Sequence, residues 1–137
     1  MMYQEMLGAF PCIDFGSLTI SDVNDALDSV ELQDIALGAE FSLRVKANDL
    51  LKELRLIQEK HYGQNLKLVS ELIFGYLSID LNTLSGKELN ALYQNSQLRA
   101  LTLYANNREA EMLFEFYERL GRMRLSASGE LQAGVCE

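Results

Sequence analysis

The sequence predicts an all-α fold, a single antiparallel bundle of four to five helices behind an irregular N-terminal segment. Three observations predict it. Apolar residues recur every three or four positions along most of the chain. Only one proline, Pro11, is present to break a helix. The 137 residues, 48% hydrophobic and 23% charged, make one ordinary domain with a core of its own. This reading places one helical domain at residues 1–125. Residues 126–137, where periodicity gives way to Ser, Gly and Ala, read as a flexible tail.

The elements follow in order. Met2, Tyr3, Met6, Leu7 and Phe10 share a helical spacing sufficient for a turn or two. Beyond Pro11, the alternation of Ile13, Phe15, Leu18 and Ile20 predicts an extended segment. Ser21 is placed to cap a helix over residues 22–30, with Val23, Ala26, Leu27 and Val30 on one arc. Asp22, Asp25 and Asp28 occupy the opposite arc. A calcium loop needs ligands at alternate positions and a turn glycine. The three aspartates therefore read as a solvated face and a candidate docking face for a basic partner.

From Leu32 to His61 the apolar seam continues through Ala36, Leu43, Ala47, Leu50, Leu54 and Ile57. Gly38 is its weak point, costing about 1 kcal/mol relative to alanine. Residues 65–77 are apolar around well over half of a helical wheel, which suits a helix at the centre of a bundle, with a strand as the fallback. Ser85 and Glu88 form a capping box that opens a helix carrying Leu89, Leu92, Tyr93, Leu98, Leu101 and Tyr104. Asn106 and Glu109 repeat the pattern before a last helix over residues 108–125. No period of twenty to fifty residues recurs along the chain.

The inventory for chemistry is thin. His61 is the only histidine, which excludes any site needing two. The glycines form no phosphate-binding loop, and Cys12 and Cys136 lack a C-x-x-C partner. The sequence therefore predicts no enzyme, no metal, no cofactor and no small-molecule substrate, with an enzyme of no recognisable motif as the second alternative to an interaction protein. The last helix is more informative, because its apolar residues span about 200° of the wheel where a single core face needs about 100°. Met112, Phe114, Phe116 and Met123 are the candidate partner interface, since aromatics and methionine are enriched at such surfaces.

Charge sharpens the choice of partner. The net charge is −8, and residues 1–43 hold eight acids with no Lys or Arg. Lys87 and Arg99 alone supply positive charge to the stretch 84–103, which divides at Gln94-Asn95-Ser96 into two short helical segments. Over residues 81–98 its leucine spacing and the Gln97-Leu98 pair resemble the helical flagellar transcriptional activators. That resemblance implies a regulatory role, as a dimer or through a DNA-binding partner. Two cations are too few for direct nucleic-acid binding. With no apolar run long enough to span a membrane and no cationic leader, the expected location is the cytoplasm. The function expected is that of a bacterial protein-interaction module: a small acidic chaperone, adaptor or regulatory subunit acting on a protein partner or as a homodimer.

Overall fold

The computed structural model describes residues 2–136, with side chains through residue 127. Among the described residues the chain is all-helical, with no strand. It forms eight α-helices rather than four or five: α1 Tyr3–Ala9, α2 Ile20–Leu27, α3 Val30–Gly38, α4 Phe41–Gly63, α5 Leu66–Leu77, α6 Gly86–Tyr93, α7 Ser96–Leu103 and α8 Asn107–Cys136. Single 3-10 turns occur at Phe15–Ser17 and Leu81–Thr83. The segment read as extended thus contains the first of these turns, and 65–77 is helical.

The extra helices arise where caps outweigh periodicity. The seam from Leu32 to His61 breaks after Gly38, because Ala39 and Glu40 are extended and the Glu40 carboxylate accepts from the Leu43 amide at 3.1 Å. The stretch 85–104 breaks at Asn95, whose Oδ1 accepts from the Leu98 amide at 2.9 Å. Thr19, not Ser21, caps α2. Its hydroxyl accepts from the Asp22 amide while Asp22 accepts from the Thr19 amide, a complete capping box. Ser85 with Glu88, and Asn106 with Glu109, form the reciprocal pairs their spacing predicts. The backbone of α8 stays helical to Cys136, through the stretch read as a tail; the side chains from residue 128 onward lie outside the described residues.

The chain divides into two compact units, residues 1–64 and 65–137. In unit 1, α4 is the central rod, against which α1, α2 and α3 pack. Ala47, Leu50, Leu51 and Leu54 of α4 meet Met6, Val23, Leu27 and Leu32 in one core. In unit 2, α8 takes the role of the rod, with Leu113, Phe116 and Leu120 buried, and both α5 and α6 pack on it. Gly86 brings the start of α6 so close to α8 that an added Cβ would lie 3.3 Å from the Ala127 Cβ.

The units are copies of one plan, offset by 66 positions without a gap. The turn at 15–17 recurs at 81–83, α2 at α6, α3 at α7, and the starts of α4 and α8 correspond. Ile13-Asp14 recurs as Ile79-Asp80, and Leu18, Asn24, Leu32, Leu37 and Leu54 recur as Leu84, Asn90, Leu98, Leu103 and Leu120. The small devices recur as well. Ser17 Oγ donates to the Asp14 carbonyl as Thr83 Oγ1 does to that of Asp80. Gln58 Nε2 donates to Asn24 Oδ1 as Arg124 Nη1 does to Asn90 Oδ1. A period of 66 lies beyond the short repeats for which solenoid sequences are read.

Candidate functional site

The copies differ in the seat of the third helix. In unit 1, α3 packs on α4. Asn48 Nδ2 donates across that seam to the Ala36 carbonyl at 2.8 Å, and Gln33 Nε2 ties α3 to the end of α2 by donating to the Leu27 carbonyl at 3.0 Å. In unit 2, α7 leans on α5 instead. The Tyr76 hydroxyl at the end of α5 lies 3.2 Å from Asn95 Oδ1 and also meets Gln97 Oε1. Phe10 stands at the Tyr76 position in unit 1 and has no hydroxyl with which to draw α3 toward α1. Ala100 of α7 is fully buried, whereas its counterpart Asp34 is exposed. A carboxylate could enter such a seat only at a heavy desolvation cost.

With α7 drawn away, a cleft of about 510 Å³ opens between α7 and α8. Tyr93, at the end of α6, and Tyr117 form an edge-to-face pair with centroids 6.1 Å apart. The Arg124 guanidinium stacks on the Tyr93 ring, 4.1 Å from its centroid, and so anchors that wall. Phe114 lines the cleft with 69% of its surface exposed. Arg99 and Thr102 line it from α7. Glu118 completes it, its carboxylate 4.0 Å from Arg122 one turn along α8.

Burial pushes the Tyr117 hydroxyl up to about 12, against the opposing pull of the Arg99 guanidinium and with a small addition from Tyr93. At neutral pH the phenol is therefore a neutral hydrogen-bond donor, suited to binding rather than to proton transfer. The cleft can recognise an apolar side chain against its rings and an anion at Arg99. Among the described residues no group of three or more His, Cys, Asp or Glu side chains is placed to hold a metal ion.

No family model, curated protein or solved structure matches this chain. Its site is therefore read from its own geometry and from the divergence of its two halves.

The residues singled out in the sequence fall into three groups. Phe114 lies on the cleft. Phe116, two positions on, is only 8% exposed and belongs to the unit 2 core, so it is no free interface residue. Met112 and Met123 are half-buried on α8 and do not line the cleft. On α2, Asp22 is engaged in the capping box, Asp28 is the C-cap residue and Asp25 is exposed. The structure does not gather these three into a pocket. Tyr93, Arg99 and Tyr117 escape a reading based on helical faces. Comparison at the 66-residue offset finds them, since their counterparts are Leu27, Gln33 and Leu51.

The two-helix corner that suggested a regulator is α6–α7. Its copy α2–α3 carries Asp22, Asp25, Asp28, Glu31 and Asp34 and no cation. The corner recurs in both units, and Arg99 lines the cleft. Among the described residues no helix is long and apolar enough to cross a membrane.

Proposed function

We propose that this chain is a non-enzymatic protein-interaction module, an adaptor, small chaperone or regulatory subunit of the bacterial cytoplasm. The observation that carries this reading is the cleft of unit 2, where the second copy of the fold keeps aromatic rings on an open surface. Phe114 would be solvated at a cost of roughly 1 kcal/mol or more without a partner, since burying such a ring is worth about 1.5–3 kcal/mol. Unit 1 has Asn48 at that position, where it serves the fold. Enrichment of aromatics at an otherwise polar surface is what protein interfaces display. The net charge of −8 favours solubility.

Site-specific photo-crosslinking in the native host tests the reading. A photoreactive phenylalanine analogue replaces Phe114, with Lys52, an exposed position of unit 1, as the control. The expected result is a discrete protein adduct from position 114 and none from position 52. No adduct above the control would overturn the proposal.

A further inference from the structure

The fold itself indicates what the cleft accepts. In unit 1 an amphipathic helix, α3, packs on the central rod with Leu32 and Ala36 buried and Glu31 and Asp34 exposed. Leu51, the counterpart of Tyr117, is buried there, while Asn48 and Lys52, the counterparts of Phe114 and Glu118, are exposed. In unit 2 the rod's stripe Phe114, Tyr117 and Glu118, spaced by three and one residues, lines open space because α7 is held on α5. A helix lying beside α8 meets residues spaced by three and four, so such a stripe suits another helix better than an extended peptide.

Charge selects the kind of helix. Glu118 is turned toward Arg122, whereas Arg99 has no carboxylate within ion-pair distance among the described residues. Arg99 therefore supplies the cleft's uncompensated charge, and the neutral Tyr117 phenol adds a donor beside it. Both groups donate, so the complement is a carboxylate.

We infer that the α7–α8 cleft is the seat of an amphipathic helix from a partner protein, with small and branched apolar residues against Phe114 and Tyr93 and an acidic residue on Arg99 and the Tyr117 hydroxyl. The inference rests on the protein-interaction reading and adds the partner's chemistry to it. The partner helix packs on the rod of unit 2 as α3 packs on the rod of unit 1. Its pattern is that of α3, with an apolar pair four residues apart flanked by Glu or Asp.

The probe is a helix-stabilised, fluorescently labelled peptide with the sequence of residues 29–39, titrated into the full chain and read by fluorescence anisotropy. Saturable one-to-one binding is expected. Arg99→Glu and Phe114→Asp should each weaken it at least tenfold, with circular dichroism and thermal midpoint unchanged because both side chains are exposed. A peptide in which both acids are lysine should regain affinity for the Arg99→Glu chain. Absence of saturable binding would overturn the inference, as would binding indifferent to both substitutions. Self-association of the chain that disappears in Phe114→Asp would also overturn it, by making a second copy the occupant. A protein adduct at Phe114 with no peptide binding removes the helix inference alone. Failure of both experiments removes the interaction reading as well.

Discussion

Replacing Asn24 and Asn90 by alanine deletes the same amide from the same position of the two copies, yet the costs should differ severalfold. Asn24 joins two buried groups: its Oδ1 accepts from Gln58 Nε2 at 2.7 Å and its Nδ2 donates to the Tyr62 hydroxyl at 3.1 Å. Gln58 is 0% and Tyr62 1% exposed, so water has little access to either end of the deleted bridge. Losing one hydrogen bond to a buried partner costs about 1–3 kcal/mol, and Asn24→Ala loses two, so roughly 2–4 kcal/mol is expected. Asn90 is exposed and accepts one bond, from Arg124 Nη1 at 3.2 Å. Its loss should cost roughly 0.5 kcal/mol or less, as at other surface positions. Urea denaturation followed by far-ultraviolet circular dichroism gives both values, and hydrogen exchange of the α4 amides locates the first. Equal costs, or a larger cost at Asn90, would refute the argument that burial rather than bond count sets the scale.

Three further outcomes are expected. Tyr76→Phe deletes the hydroxyl that holds α7 on α5 and should cost about 1 kcal/mol; faster hydrogen exchange confined to α7 is the check. Glu88, which accepts from the Ser85 amide and then from its hydroxyl, has its carboxyl held below the usual range. Its contribution to stability is present above the ordinary glutamate pKa and is lost as pH falls through the lower folded-state value. Glu88→Gln should flatten that part of the acid limb of a stability–pH profile. Tyr117 is shifted the other way, so stability falls as pH rises from its ordinary value of 10.0 to about 12, while the unfolded chain ionises first. A phenolate absorbance titration of Tyr117→Phe against the parent should remove one group near the upper value.

Much of the fold is legible in the residues, and the losses have identifiable causes. Helices at 66–77 and 86–93 follow from their apolar spacing, the second with its Ser85–Glu88 cap. The helix expected over 22–30 instead runs from Ile20 to Leu27, and Val30 begins α3 behind the Ser29 cap, because a cap overrides an apolar period that continues through it. The break after Gly38 is harder to read, since Ala39 and Glu40 keep the periodicity while the Glu40 side chain starts a new helix. Phe116 and Phe114 look alike as letters on one helix. Burial separates them, and burial depends on what α5 and α6 place against α8.

The internal duplication is written in the sequence, as Ile13-Asp14 against Ile79-Asp80 and Leu32 against Leu98 testify, but sparse identities become persuasive only when whole elements fall into register. Local chemistry therefore specified the helices, most of their caps and the acidic character of the first third, because each depends on neighbours along the chain. The cleft was decided in three dimensions. Tyr76 draws α7 to α5, Asn48 holds α3 to α4, Gln33 ties α3 to the end of α2, and these bonds join residues as many as 21 positions apart. No local pattern encodes which of two neighbouring helices a third will choose. That choice depends on which buried seat leaves fewer polar groups without partners.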